Sequence, residues 1–319
     1  MGMLIKGKLV KNWLEKEIDE GEFKRMESTF RHSVTADGSS DFKAEAGRYH
    51  LYVSNACPWA HRTVIFRKLK KLENVITMSV VEPEMLDDGW RFSSQGKYID
   101  HLHGFRFMHE VYTRADPVFT GQITVPVLWD KKLNTIVNNE SSEIIRILNS
   151  AFNAFTDVKT DYYPENLRQQ IDAVNGPIYN NINNGVYRCG FATSQLVYEK
   201  AFSRLFNELD KVEKTLSTQR YLLGDSLTEA DWRLFTTLIR FDAVYVGHFK
   251  CNLKRIADYE NLSNYLRELY QIEGVAQTLD IEYIKRHYYF SHTSINPTQI
   301  VPVGPDLNFN LPHNRLDKY

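Results

Sequence analysis

The sequence has little cysteine and no long hydrophobic run. Its three cysteines, Cys57, Cys189 and Cys251, are widely spaced and suit a reducing compartment better than a disulfide framework. No stretch approaches the ~18 consecutive apolar residues of a membrane helix. The first eight residues lack the apolar run and cleavage site of a signal peptide. We therefore expect a cytoplasmic protein with no membrane partner.

An excess of charge of either sign is also missing. The 39 basic and 40 acidic residues give a formal net charge of −1, whereas a general nucleic-acid binder needs a basic excess or stripe. The one dense basic run, 67–71, lies on a predicted helix and is expected to form a solvated face. There is no glycine-rich phosphate loop, and His61, His101 and His103 lack a supporting ligand pattern. We predict no nucleic-acid partner, nucleotide or metal.

The first half of the chain predicts an α/β domain. The 319 residues, 43% hydrophobic, favour two domains with ample core. After a loop-rich N-terminal extension (1–47), a strand over 49–54, a helix from about Trp59 and a strand over 75–81 form the parallel β-α-β unit of an α/β layer. Strands over 124–129 and 135–137 then form a hairpin. A helix opening at 138–142 completes the order of a thioredoxin-like domain.

We assign 48–150 to that domain, with an irregular insertion at 82–121. The insertion is too long for an ordinary connection, so it is either a functional lid or contains small elements of its own.

The second half predicts an all-helical domain over 163–290. Apolar residues recur at spacings of three and four from Ala201 to Leu216, which is typical of one long amphipathic helix. Thr228 and Asp231 have the spacing of a capping box at the start of another helix. The tail, 291–319, contains four prolines and no periodicity, and we expect it to be extended and docked.

Cys57 is the first candidate for chemistry because it lies where a strand ends and a helix begins. Free N–H groups at a helix N-terminus favour thiolate over thiol. A free cysteine has a pKa of ~8.5, and lowering it by ~2 units would make the side chain mostly thiolate at neutral pH. Pro58 fits the first helical turn. The alternative is a small buried cysteine with a structural role.

The residue three positions after Cys57 is Ala60, not a second cysteine. A dithiol redox cycle within this turn is therefore excluded, and any disulfide chemistry must use an external thiol.

Two further pairs could bind a ligand. Pro126, at the start of a strand, could be cis and leave the backbone groups of Val125 free to pair with an extended peptide; otherwise it is an edge-strand proline. Ser141, at a helix start, could bind a carboxylate while Glu140 pairs with an ammonium. Ser141 could also be a simple N-cap, a role compatible with binding.

These residues together resemble a cysteine-type glutathione transferase, and most closely the Xi class, the S-glutathionyl-hydroquinone reductases. The resemblance spans roughly residues 49–305. The motifs that carry it are Cys57–Ala60, Asp88–Phe92, Ala115–Pro117, Asn138–Ser141, Asn184–Ala192 and Ile295–Pro297, together with Val125-Pro126.

The resemblance implies a thioredoxin-like domain followed by an all-helical domain, with glutathione as co-substrate and Cys57 as nucleophile. It implies that Tyr187 donates a proton and that Tyr245 and Tyr288 complete the hydroquinone pocket. The residues it assigns to glutathione are Trp90, Gln122, Ile123, Thr124, Val125, Glu140 and Ser141. Gln122 stands where the family pattern has arginine, so the charged contact of that arginine is not expected here.

The implied activity is reduction of S-glutathionyl-hydroquinones through a Cys57–glutathione mixed disulfide, with release of oxidised glutathione. One alternative is an Omega-like cysteine transferase that acts on mixed disulfides or dehydroascorbate. The other is a non-enzymatic interaction module that keeps the fold. The family also implies a homodimer.

Overall fold

The computed structural model describes residues 2–10 and 18–319. The strands are β1 (Gly2–Ile5), β2 (Lys8–Val10), β3 (Ile18–Asp19), β4 (Glu22–Phe23), β5 (Tyr49–Val53), β6 (Thr77–Val80), β7 (Gly121–Ile123), β8 (Val127–Asp130) and β9 (Thr135–Asn138). The α-helices are α1 (Pro58–Leu69), α2 (Met108–Ala115), α3 (Ser141–Ser150), α4 (Arg168–Pro177), α5 (Gly185–Gly190), α6 (Gln195–Leu216), α7 (Glu229–Arg240), α8 (Glu260–Gln271), α9 (Ile281–Ser291) and α10 (Arg315–Lys318).

The described residues divide into two units. Residues 2–10 and 25–160 belong to the first unit, and residues 18–24 and 161–319 to the second. The first unit contains the predicted α/β domain and the second the predicted helical domain, so the expected fold class is confirmed.

The first unit is built on a four-stranded sheet in the order β6-β5-β8-β9. Strand β5 runs parallel to β6 and antiparallel to β8, and β8 is antiparallel to β9. All five residues of β5 are buried, as expected for an inner strand covered on both faces. Helix α1 packs against α3. Because β5 and β8 are neighbours in the sheet, the start of α1, which follows β5, and the segment before β8 lie in the same domain.

The N-terminal segment departs from the expected loop-rich extension. Strand β1 pairs with β2 and, on its other edge, with β7 at the end of the insertion. In this register Met3 lies opposite Gln122 and Gly2 opposite Ile123. The insertion also contains α2, so it has small elements of its own. Strand β1 was not predicted, because β2 is only three residues long and its other partner, β7, lies more than 110 residues away.

Residues 18–24 belong to the second unit, although they precede the α/β domain in the chain. Strands β3 and β4 form a short antiparallel hairpin. The ring of Phe23 is buried and lies 6.2 Å from Tyr187 and 5.3 Å from Phe191, between ring centroids. These aromatic contacts attach the hairpin to the helices.

The helices of the second unit include the two features predicted from the sequence. The apolar repeat over 201–216 lies within α6, and α7 begins at the expected capping box. The Thr228 N–H donates to the Asp231 carboxylate at 2.9 Å, and the Ala230 N–H donates to Thr228 Oγ1 at 3.3 Å. These bonds satisfy N–H groups that an α-helix leaves without internal partners.

The tail is docked, as expected, but it ends in the unpredicted helix α10. Arg315 is fully buried, and its Nε donates to a Glu268 carboxylate oxygen at 2.9 Å. The Arg315 guanidinium also donates to the Leu216 carbonyl at 3.4 Å. One buried ion pair thus fixes the end of the chain.

The basic run 67–71 is a solvated face only in part: Lys71 is exposed and Lys68 half-buried. The Lys70 side chain is fully buried, and its Nζ donates to the Thr160 carbonyl at 2.7 Å. Arg67 Nε donates to the Ile76 carbonyl at 2.7 Å. The interpretation is wrong for Arg67 and Lys70, because their long side chains satisfy backbone carbonyls in the loop before β6 and at Thr160. Within residues 2–10 and 18–319, no helix is long and apolar enough to cross a membrane.

Candidate active site

Cys57 begins helix α1. It is the N-cap, with φ −72° and ψ 118°, and its carbonyl accepts the N–H of His61 at 2.9 Å. Pro58 occupies the first helical position, where a missing N–H leaves no helical hydrogen bond unmade. The thiol is half-buried, and its Sγ lies 3.4 Å from the Val125 carbonyl oxygen. The sulfur therefore lies at the positive end of the helix dipole, which favours an anionic sulfur.

The loop between β7 and β8 brings Val125 to this cysteine. The Val125–Pro126 peptide bond is cis. The Val125 carbonyl faces the Cys57 thiol, and the Val125 N–H makes no hydrogen bond with any part of the chain that the structure describes. An extended ligand beside Cys57 could pair with that N–H as an added strand does.

Glu140 and Ser141 open helix α3. Glu140 is its N-cap, and one carboxylate oxygen accepts the N–H and the hydroxyl of Ser142 at 3.0 and 2.8 Å. The other carboxylate oxygen accepts the Ser28 hydroxyl at 3.1 Å. The expectation of Ser141 as a possible N-cap is wrong, because the extended backbone lies at Glu140 and Ser141 is the first helical residue. The buried Ser141 hydroxyl remains at the positive end of α3.

Arg62 was not singled out from the sequence. It is buried on α1, with Nη1 3.4 Å from the Ser141 hydroxyl oxygen. Its guanidinium lies 4.6 Å from the centre of the Trp59 ring, and that of Arg25 lies 4.9 Å from the same ring. The signal in the sequence is a charged residue on a helix with an apolar, buried face. Its charge adds to the field at the start of α3, which favours an anion.

Tyr112 was also missed, and it contacts two segments of the candidate site. Its hydroxyl donates to the Thr124 carbonyl at 3.0 Å and accepts the Thr124 N–H at 3.2 Å. It also accepts a hydrogen bond from Asn139 Nδ2 at 3.1 Å. Burial raises the pKa of this phenol, so it stays protonated and able to donate.

The remaining predicted glutathione residues lie in the insertion and at its end. Gln122 and Ile123 are buried in β7. Trp90 is buried, and its carbonyl accepts the N–H of Met108 at the start of α2, at 2.9 Å. The predicted residues of the first unit therefore lie at the starts of α1 and α3, in β7, in the loop between β7 and β8, and in the insertion.

In the second unit, the three predicted tyrosines meet. Tyr187 lies on α5, Tyr245 at the end of a π-helical turn after α7, and Tyr288 on α9. The Tyr288 hydroxyl lies 2.7 Å from that of Tyr187 and 3.2 Å from that of Tyr245. The three phenols therefore form one hydrogen-bonded chain.

Phe249 packs against all three rings. Its ring centroid lies 5.5 Å from those of Tyr187 and Tyr245 and 5.7 Å from that of Tyr288. Burial raises the pKa of Tyr245 and of Tyr288 well above the ordinary value, so both keep their protons at neutral pH. Tyr289 lies outside the chain of phenols, with its hydroxyl 3.4 Å from the Ala243 carbonyl.

The other two cysteines are buried free thiols. Burial raises the pKa of Cys251 well above the ordinary value, which makes it a poor nucleophile. In the ranges that the structure describes, no group of three or more His, Cys, Asp or Glu side chains is placed to hold a metal ion.

Two family models match the chain. Residues 56–151 match the glutathione S-transferase N-terminal domain, and residues 195–268 match the glutathione S-transferase C-terminal domain. These ranges fall in the first and second units, respectively.

Relatives of known name match almost the whole chain. The glutathionyl-hydroquinone reductase YqjG of Escherichia coli is 51% identical, over 99% of this chain and 98% of its own. The glutathionyl-hydroquinone reductase PcpF of Sphingobium chlorophenolicum is 51% identical over 96% of each chain. The glutathione-bound structure of YqjG superimposes with a TM-score of 0.91, at 48% identity and full coverage of both chains. A Xi-class transferase from Natrialba magadii has a TM-score of 0.93, at 47% identity, covering 99% of this chain and 97% of its own. The chain therefore belongs to the glutathione S-transferase family, in its Xi class.

Proposed function

We propose that this protein reduces S-glutathionyl-hydroquinones to hydroquinones with glutathione as co-substrate and releases oxidised glutathione. The observation that carries the proposal is the position of Cys57, a single thiol at the start of α1 beside the Val125 carbonyl. YqjG and PcpF, whose printed names give this activity, support it.

Glutathione is held, in this proposal, by backbone and side-chain groups of the first unit. The Val125 N–H pairs with the backbone of the tripeptide, which sets the thiol of glutathione beside Cys57. Glu140 pairs with the ammonium of the γ-glutamyl end. The Ser141 hydroxyl, the first N–H groups of α3 and the charge of Arg62 receive its carboxylate. The residues that line the rest of the tripeptide are Trp90, Gln122, Ile123 and Thr124.

In the first step, the Cys57 thiolate attacks the sulfur of the glutathionyl-hydroquinone. The carbon–sulfur bond breaks as the sulfur–sulfur bond forms, and its electron pair goes to the ring carbon. Tyr187 donates the proton that this carbon takes up, so the hydroquinone leaves and Cys57 carries glutathione. Tyr245 and Tyr288 complete the pocket, where phenol rings and hydroxyls suit a flat quinol.

In the second step, the thiolate of a second glutathione attacks the glutathione sulfur of the mixed disulfide. Oxidised glutathione leaves, and the Cys57 thiolate is regenerated. With no second cysteine in the first turn of α1, the second glutathione must break the mixed disulfide. The two electrons that reduce the ring carbon come one from each of the two glutathione sulfurs, which leave joined as oxidised glutathione.

The test is the release of oxidised glutathione from glutathionylated menadiol plus glutathione. The wild type and a Cys251→Ser control should turn over, and Cys57→Ser should not. A serine hydroxyl in place of the Cys251 thiol still has an acceptor for its proton, since Cys251 Sγ lies 3.8 Å from the Phe249 carbonyl oxygen. Turnover by Cys57→Ser would contradict the mechanism. Activity only on dehydroascorbate or mixed disulfides would favour an Omega-like transferase, and no glutathione binding would favour an interaction module.

We also propose a homodimer in the cytoplasm. The dimer is supported by membership of the family. The location is supported by the three cysteines, all in the described residues and none in a disulfide, as a reducing compartment allows. Sedimentation of the purified protein and fractionation of cells test these two statements separately.

A further inference from the structure

The hydroxyl of Tyr112 links two segments that are distant in sequence. It accepts the N–H of Thr124, donates to the carbonyl of the same residue, and accepts an N–H of the Asn139 side chain. The distances are 3.2, 3.0 and 3.1 Å. The phenol oxygen also lies 3.2 Å from Thr124 Oγ1, so three polar atoms of Thr124 and one of Asn139 surround it.

Each partner of Tyr112 lies next to a residue that we assign to glutathione. Thr124 precedes Val125, whose N–H is to pair with the tripeptide. Asn139 precedes Glu140, which is to hold the γ-glutamyl end. Tyr112 thus joins the two places where opposite parts of one ligand would be held.

Both linked segments are held at this junction. Thr124 lies outside the strands, and the Tyr112 phenol binds its N–H and its carbonyl. Asn139 is fixed on its other side, since its N–H donates to the Phe30 carbonyl at 3.0 Å and its Oδ1 accepts the Phe30 N–H at 3.1 Å. Loss of the phenol hydroxyl would release the loop while leaving Asn139 attached to Phe30.

We propose that Tyr112 is a positioning residue for glutathione, which sets the spacing between the Val125 pairing site and the start of α3. This inference rests on the proposed function. Tyr112 acts through Thr124 and Asn139.

The hydroxyl can be removed without losing the packing of the ring. The Tyr112 ring centroid lies 5.1 Å from that of Phe119 and 6.1 Å from that of Phe30. Tyr112→Phe keeps these contacts. Tyr52→Phe is the matched control, because Tyr52 is buried in the same unit and its hydroxyl bonds Asp100 at 3.1 Å.

Glutathione binding to the full chain is measured by calorimetry. We expect Tyr112→Phe to raise the Kd about tenfold, as loss of about 1.4 kcal/mol of preorganisation would do. Tyr52→Phe should leave the Kd within about twofold, although it also loses a buried hydrogen bond. In turnover assays, Tyr112→Phe should raise the KM for glutathione and leave kcat at saturation nearly unchanged. An unchanged Kd, or an equal rise in the Tyr52→Phe control, would overturn the proposal.

Asn139→Ala provides a second variant that leaves Tyr112 in place. It should also raise the Kd. In the double variant, the rise in Kd should be smaller than the product of the two single rises. Independent, multiplicative effects would count against the link. Wild-type protein that binds glutathione without turning over a glutathionyl-hydroquinone would refute the proposed function alone, while the binding comparison would still decide the role of Tyr112.

Discussion

Removing the hydroxyl of Tyr288 tests the chain of phenols. Tyr288→Phe keeps the ring but deletes the bonds to the Tyr187 and Tyr245 hydroxyls, which measure 2.7 and 3.2 Å. Each buried bond contributes about 1 kcal/mol net, so the free energy of unfolding should fall by about 2 kcal/mol. Urea unfolding measures this change.

The effect on catalysis follows from the charge that develops on Tyr187. In the proposed mechanism Tyr187 gives up its proton and its oxygen becomes anionic. The Tyr288 hydroxyl, 2.7 Å away, then donates a hydrogen bond to it. Burial keeps Tyr288 protonated by raising its pKa. A hydrogen bond to a charged group is worth about 1.5–3 kcal/mol, which corresponds to about a 10- to 150-fold fall in kcat for Tyr288→Phe.

Tyr289→Phe is the control, because Tyr289 is the next residue and its hydroxyl lies outside the chain of phenols, 3.4 Å from the Ala243 carbonyl. It should retain kcat within about twofold and lose less stability. The assay is release of oxidised glutathione at saturating concentrations of both substrates. Full activity of Tyr288→Phe, or a greater loss in Tyr289→Phe, would refute the reasoning.

Two further predictions concern glutathione and pH. Glu140→Gln removes the negative charge proposed to pair with the ammonium but keeps an oxygen to accept the Ser142 N–H. The KM for glutathione should therefore rise about tenfold in steady-state assays, with little change in kcat. An unchanged KM would contradict this role of Glu140. His50 is buried between the Thr77 and Ser79 hydroxyls, and burial lowers its pKa to about 3. Because the unfolded chain protonates near pH 6.5, the stability from neutral His50 is complete above that pH and is lost as the pH falls towards 3. Urea unfolding should show a loss of about 2 kcal/mol from this group between about pH 8 and pH 5, reduced in a His50→Gln variant; an equal loss in that variant would exclude His50 as the cause.

Local patterns in the sequence predicted the elements that carry the candidate site. The strand before Cys57 and the helix after it are marked by an apolar run and by Pro58, and the structure has β5 and α1 there. The capping box at Thr228 likewise depends on residues three apart. Such signals are short-range, so a single sequence contains them.

Long-range partners could not be predicted in this way. Strand β1 lies between β2 and β7 in its sheet, and β7 lies more than 110 residues further along the chain. The role of Tyr112 depends on Thr124 and Asn139, which folding brings to it. Nothing in the local pattern around Tyr112 distinguishes it from the other tyrosines, of which the chain has 18 in all.

The offset at α3 has a different origin. Both Glu140 and Ser141 can cap a helix, and the sequence favours serine at the N-cap. In the structure, Glu140 adopts the extended N-cap conformation and bonds Ser142 and Ser28. The Ser28 contact comes from more than 100 residues away, and only the folded chain reveals it.

The most direct test of the account is a single turnover without free glutathione. The protein is mixed with glutathionylated menadiol, and its intact mass and peptide map are recorded with the amount of menadiol released. We expect one glutathione per chain, attached at Cys57, with one menadiol released and neither event in Cys57→Ser. Menadiol release without the adduct, or glutathione attached to Cys189 or Cys251 instead, would contradict it.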